Sequence, residues 1–283
     1  MKIIDAHLHF SDIEKFKHTA KNISKVDYSS NGLYQVFKKN NIVEGIVMGV
    51  TESKDNSFPD PNSPNPMLAD LEKDLPKKVK YCLGINPYDL KKEGIKNSLS
   101  NIEKELGNPN AVGFKIYPGY YSIPISDEIY TPIYEIAEEY GVPIVIHTGD
   151  MFANSANAEF SHPLHVNRLA LKFKKVNFVI AHFGNPWVMD TAVVISNCTN
   201  VYTDLSGFFV GDEKKVKELS NNRIYVDNIR RALIFEDNYK RIMFGSDWPL
   251  VPMNPYIEFV KQLIPEKYYE DVFYNNAKKI FKI

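Results

Sequence analysis

Two histidines stand one residue apart near the start of the chain, His7 and His9 in "IDAHLHF" (3–9). In a β-strand successive side chains alternate between faces, so both imidazoles point the same way, about 7 Å apart along the strand. Asp5 is expected on that face too, with Ile4, Ala6, Leu8 and Phe10 on the other. Neutral imidazole needs no charge partner and is a frequent zinc ligand, so the pair has the chemistry of a metal site. Alone, the pattern also suits two core histidines with ordinary hydrogen bonds.

Further polar residues interrupt apolar runs in the same manner. Lys115 lies in "GFKIYP", His147 in "IVIHTG", His182 in "VIAHFG" and Asp247 in "FGSDWP". Each sits at or near the C-terminal end of a β-rich run. Leaving four imidazoles, a carboxylate and an amine buried without partners would cost several kcal/mol in sum. A bound cation removes that cost by supplying charge and partners together.

The elements that must bring these side chains together are short and regularly spaced. The apolar runs 3–10, 43–50, 79–86, 111–118, 143–149, 177–184, 201–207 and 242–249 have the continuous apolar character of parallel strands covered on both faces. Between them, segments 101–107, 129–141, 162–175, 186–198, 255–264 and 268–281 carry apolar residues at helical spacing. Gly107 and Gly141 are expected helix stops. Eight strands alternating with helices predict an α/β protein, a single (β/α)8 TIM barrel over 1–283, with a metal site at its C-terminal mouth. No phosphate-type glycine-rich loop follows the first strand, which argues against a doubly wound open sheet. The segment 52–66, rich in Pro, Asn, Asp and Ser, is expected as a long loop over the mouth rather than a domain boundary.

The 283 residues are 44% hydrophobic and carry 34 basic and 35 acidic side chains, a net charge of −1. That balance leaves no electrostatic footprint for nucleic acid and no polybasic membrane anchor. Cys82 and Cys198, the two cysteines, lie in apolar settings and are expected as buried, reduced thiols. "MKIIDAH" is expected to be structural already, so no signal peptide is anticipated, and no apolar run is long enough to span a bilayer. The expectations are a cytoplasmic location, a small-molecule substrate, no nucleic-acid or membrane partner, and a homodimer as the candidate assembly.

The motifs "DAHLHF", "GFKIYP", "VIHTG", "IAHFGNPW" and "FGSDWP", in this order, resemble the amidohydrolase superfamily. The likeness is to its amidohydrolase-2 branch of TIM-barrel metal hydrolases and decarboxylases, and it runs from residue 3 to the "NNAKKIF" ending. The resemblance implies His7, His9, His147 and Asp247 as ligands of a mononuclear site, with His182 beside it as a further ligand or acid/base. It places Lys115 where binuclear members carry a carboxylated, metal-bridging lysine. A protonated lysine about 5 Å from a divalent ion is repelled by about 6–7 kcal/mol at an effective dielectric near 20. Lys115 is therefore carboxylated, or neutral, or set further out against a carboxylate such as Asp247; a paired interior lysine without a chemical role is the remaining possibility.

Zinc suits this donor set, one ion being favoured over two bridged by Lys115, and manganese or iron fits the same ligands. The implied reaction is hydrolysis of a C–N or C–O bond beside a carbonyl. Asp247 would act as base and proton carrier, with His182 polarising the carbonyl. The alternative is non-oxidative decarboxylation of an aromatic or unsaturated acid, which calls for a cation for the substrate carboxylate. None of Arg168, Arg223, Arg230, Arg231 and Arg241 ends a strand, which leaves Lys115 for that task. A catalytically dead binding protein would be expected to have lost one of these residues, and all are filled. Aromatic residues after the strands, Tyr117, Tyr120, Tyr121, Phe152, Trp187, Phe208, Phe209 and Trp248, suggest a pocket for a flat substrate. Asp204 is expected to orient a ligand and Asn185 to cap a helix. His162 and His165 are expected as capping or supporting groups, and His18 at the surface.

Overall fold

A parallel strand must be covered on both faces, and the chain meets this by returning through a helix after most strands. The computed structural model describes residues 1–11, 13–49, 78–91, 95–152 and 156–283. The strands are β1 (Ile3–Leu8), β2 (Ile42–Met48), β3 (Val79–Gly84), β4 (Ala111–Ile116), β5 (Ile144–Ile146), β6 (Phe178–Ile180), β7 (Val201–Asp204) and β8 (Ile242–Met243). The helices are α1 (Glu14–Thr19), α2 (Ser30–Asn40), α3 (Ile95–Leu106), α4 (Thr131–Tyr140), α5 (Leu164–Lys172), α6 (Val188–Asn197), α7 (Glu213–Ser220), α8 (Arg223–Glu236), α9 (Met253–Leu263) and α10 (Asn276–Phe281). The segment 52–66, expected as a loop over the mouth, lies outside the described residues.

The strands pair in parallel and in chain order from β1 to β8. The ring closes where the β8 segment meets β1. The Ala6 N–H donates to the Phe244 carbonyl at 2.9 Å, the Asp247 N–H to the His7 carbonyl at 2.8 Å, and Leu8 bridges Trp248. Ile4, Ile46, Cys82, Val112, Val145, Val179, Tyr202 and Met243, one from each strand, belong to one apolar cluster. Only the interior of a barrel lets all eight strands meet. Ala277, Ile280 and Phe281 of α10 join that cluster and plug the end opposite the strand C-termini.

Three sequence expectations need correction. Strands β5, β6 and β8 are shorter than their apolar runs, so His147, His182 and Asp247 lie just past strand ends. The β1–β2 register shifts between Asp5 and Leu8, which breaks the strict alternation. Ile4 and Ala6 face the interior cluster whereas Leu8 packs in the outer layer, and Asp5 turns to Ser246, whose hydroxyl donates to it at 2.5 Å. Finally, α1, α2, α7 and α8 form in segments outside the expected helices; in α1 and α7 charged residues outnumber the apolar ones. Gly141 does terminate α4, with φ +62.

Asn276 ties α10 to β8: its amide donates to the Tyr239 and Ile242 carbonyls, both at 2.7 Å. Asn276→Ala removes both buried hydrogen bonds, leaving the Tyr239 carbonyl with the Ile242 N–H alone. We expect a loss of about 2–3 kcal/mol and a fall in Tm of roughly 5–10 °C in scanning calorimetry. An unchanged Tm would contradict this role.

Candidate metal centre

Each side chain of the centre is placed where a strand gives way to its loop. His7 lies near the end of β1 and His9 just past it, His147 follows β5, His182 follows β6, and Asp247 follows β8. His182 and Asp247 both adopt left-handed backbone, with φ +61 and +60. Such a conformation costs a non-glycine residue about 1–3 kcal/mol and persists only where its surroundings hold it. The His182 N–H donates to Asp204 Oδ1 at 3.0 Å, and the Asp247 N–H is held by the His7 carbonyl. Gly207, φ +61, lies flat against the His182 ring, where a Cβ would overlap the imidazole.

The hydrogen bonds assign the tautomers. Asp204 is fully buried. Burial works to raise its pKa, but the His7 imidazole beside it prevails and holds the carboxyl well below the usual range. An ionised carboxylate only accepts, so His7 Nδ1–H donates to Asp204 Oδ2, at 2.9 Å. His7 Nε2 is then bare, and it has no hydrogen-bond partner among the described residues. The Ser206 hydroxyl also donates to Asp204, so its oxygen accepts from His182 Nδ1 at 2.8 Å, leaving His182 Nε2 bare. His147 Nε2 donates to the Asp150 carbonyl at 3.1 Å, so its Nδ1 is bare. These two bare nitrogens face each other at 3.3 Å.

Two imidazole lone pairs opposed at that distance repel, and a cation that accepts both removes the conflict. The donor set therefore fits a metal ion. His7, His182 and Asp247 each offer a ligand atom within 4.8 Å of the others. His9 flanks them with Nε2 at 3.1 Å from Asp247 Oδ1. Burial lowers the pKa of His9 and pushes that of His147 well down; for His182 it pushes the value to about 3, against the pull of Asp247. Burial works against the Asp247 carboxylate, yet the surrounding imidazoles of His182, His9 and His7 hold it ionised. Neutral imidazoles and an ionised carboxylate are the forms that ligate.

Lys115 is fully buried on β4, its Nζ 5.0 Å from the centroid of the Tyr117 ring and without a hydrogen-bond partner among the described residues. Burial brings its pKa down to about 8, against the attraction of Asp204 and Asp247. Among the described residues Lys115 forms no ion pair, with Asp247 or with any other carboxylate.

Above the cluster opens a cavity of about 280 Å³, lined by His9, His147, His182 and Asp247 at its base. Tyr117, Tyr120, Phe152, Phe208 and Phe209 line it as well. Trp187 and Trp248 do not. Trp187 packs on the His162 ring, centroids 4.7 Å apart, and Trp248 is buried beneath Phe10 and Tyr28. Phe16 and Lys15 of α1 complete the wall, Phe16 stacking on the His9 ring at 4.6 Å. Sequence reasoning missed both, though Phe16 opens an i, i+4 step with Ala20 directly after the H-x-H strand. It also missed Ser206 as the group orienting His182, and the clue was its place two residues after Asp204. Asn185 does not cap α6; its amide donates to the Phe208 carbonyl at 3.3 Å. His165 Nε2 donates to the Glu159 carbonyl, and His18 is exposed.

A (β/α)8 barrel with imidazoles and a carboxylate gathered at its C-terminal mouth defines a class of metal-dependent enzymes. The profile of the family described as amidohydrolase matches residues 92–283, and the chain belongs to that family. Membership indicates a metal-dependent enzyme of a branch that includes hydrolases and decarboxylases. No curated protein sequence matches the chain significantly. Among solved structures, an uncharacterised TIM-barrel protein from Bordetella bronchiseptica superposes with a TM-score of 0.72 at 20% identity, covering 100% of this chain and 99% of that one. A probable 2-pyrone-4,6-dicarboxylic acid hydrolase from Acinetobacter baumannii gives 0.66 at 15% identity, with 100% of both chains covered. A dihydroxybenzoic acid decarboxylase from Polaromonas, solved with bound manganese, gives 0.67 at 14%, covering 99% of this chain and 97% of that one. At these identities the likeness is one of fold. No helix among the described residues is long and apolar enough to cross a membrane.

With its folded pKa near 3 against 6.5 for the free side chain, His182 stays neutral in the folded metal-free protein while the unfolded chain takes up a proton. Stability is therefore lost as pH falls below 6.5. We expect the Tm of metal-free protein to decline between about pH 7 and 5, with His182 keeping its Nδ1–H tautomer in nitrogen-15 NMR spectra. Protonation of His182 near pH 6.5 would contradict the assignment.

Proposed function

We propose that the protein is a metal-dependent hydrolase acting on a C–N or C–O bond beside a carbonyl in a small substrate. The observation that carries this is the convergence of bare imidazole nitrogens on an ionised Asp247 at the base of the cavity. His7, His9, His147 and Asp247 would hold the ion, with His182 at its side. The ion, zinc by its affinity for nitrogen donors and manganese or iron in its place, supplies Lewis acidity and makes hydroxide available near neutral pH.

Asp247 takes a proton from water and returns it to the leaving atom; its Oδ1 accepts no hydrogen bond among the described residues. His182 lines the same cavity; with its Nδ1 proton held by Ser206, its bare Nε2 would serve as a ligand or a base, and polarising the scissile carbonyl would fall to the ion. Tyr117, Tyr120 and Phe152 provide apolar walls for a flat molecule. One ion is the favoured content, with Lys115 as a largely unsolvated amine behind Tyr117. A carboxylated Lys115 bridging two ions is the competing form, and metal stoichiometry separates them.

One observation favours decarboxylation as a second reading. Lys15 lines the cavity with its Nζ 5.9 Å from the Phe152 ring centroid, which puts a basic side chain in the cavity wall, where Lys115 does not reach.

Protein expressed without chelators is expected to hold one divalent ion per chain by elemental analysis. Removing it should abolish turnover, and adding zinc or manganese should restore it. Asp247→Asn should lower kcat/KM by about 10²–10⁴-fold. Asp204→Asn should weaken metal affinity by about 10–100-fold with the fold intact, measured by competition with a chromophoric chelator. Release of CO2 from aromatic acids, with no turnover of lactones, esters or amides, would overturn hydrolysis in favour of decarboxylation. Two ions per chain, with a native mass increase of one CO2, would establish the bridged form.

A further inference from the structure

Helix α8 buries Val226, Ile229, Ala232 and Leu233 against the barrel, yet its outer face carries large apolar side chains among its charged ones. Ile224 is 86% exposed, Ile234 69% and Phe235 54%. An amphipathic surface helix normally turns charged residues outward. The helices beside it expose apolar residues too: α6, which packs on both α8 and α5, exposes Val193, and α5 exposes Leu171.

The charges on α8 say what covers this face. Asp227 is exposed toward the middle of the helix, between Arg223 at 3.3 Å and Arg230 at 3.8 Å. Arg231 is exposed one turn further on and forms no ion pair among the described residues. Ile224 and Ile234 lie equally far from Ile229 along the helix, on opposite sides, and so do Asp227 and Arg231. A second copy laid antiparallel across α8 on a two-fold axis through that midpoint sets Ile224 against Ile234 of the second copy. The same operation sets Asp227 against Arg231 of the second copy, twice over. A surface that is complementary to itself under a two-fold rotation is what an isologous dimer requires.

We propose that the chain forms a homodimer through α8, packed antiparallel on its own copy about this axis. The interface stands apart from the cavity and does not depend on the reaction assigned above.

Sedimentation equilibrium of the metal-loaded full chain across a wide concentration range tests this. Wild-type protein is expected to be a dimer. Ile224→Glu with Ile234→Glu, both at exposed positions, should raise the dissociation constant by about 100-fold or more with metal content and circular dichroism unchanged. Asp227→Arg and Arg231→Asp should each weaken the dimer, and the two together should restore it, which a merely apolar contact would not do. A wild-type monomer at every concentration overturns the proposal and leaves the face to a different partner. A dimer that survives the double glutamate variant overturns it too.

Discussion

A buried negative charge on Asp204 organises the mouth of the barrel. Its two oxygens accept from His7 Nδ1, the His182 and Ser206 backbone amides and the Ser206 hydroxyl. Away from water these bonds are strong, and leaving any of them unmade is costly. The consequence reaches beyond the carboxylate itself. By fixing a proton on Nδ1 of His7, and through Ser206 on Nδ1 of His182, Asp204 turns both opposite nitrogens into lone pairs. A donor set for a cation is thus written by a residue that need not touch the cation.

The same economy explains the backbone of the site. Left-handed turns at His182 and Asp247 re-aim side chains that a continuing strand would have sent into the sheet layers. Their cost is met locally, by the bonds from Asp204 and from the His7 carbonyl, and more widely by a barrel whose interior is packed from all eight strands and plugged by α10. Rigid strands below and adaptable loops above are the arrangement in which loop residues carry chemistry on a fixed scaffold. Lys115 fits this division. It sits on a strand, in the packed interior, where burial weakens its hold on a proton.

Much of this was legible in the sequence because a polar residue in an apolar strand has few innocent explanations. His7, His9, His147, His182, Asp247 and Lys115 were each found as such interruptions, and the eight runs gave the barrel. What escaped had physical reasons. The register shift in β1 sends Asp5 to Ser246, and strict alternation has no way to express a shift. Ser206 is small, polar and common in loops, so its bond to His182 has no signature apart from the fold. Trp187 and Trp248 follow strands as Tyr117 and Tyr120 do, but position after a strand does not fix direction, and both pack away from the cavity. Phe16 and Lys15 belong to a six-residue helix, too short for its periodicity to stand out.

The central claim is that the bare nitrogens meet around a cation. Anomalous X-ray scattering measured at the zinc and manganese absorption edges, on crystals grown with each ion, locates it directly. The account predicts one strong peak enclosed by the His7, His9, His147 and Asp247 ligand atoms, with His182 Nε2 beside it. A map with no peak there, or with peaks only on surface carboxylates, would contradict it.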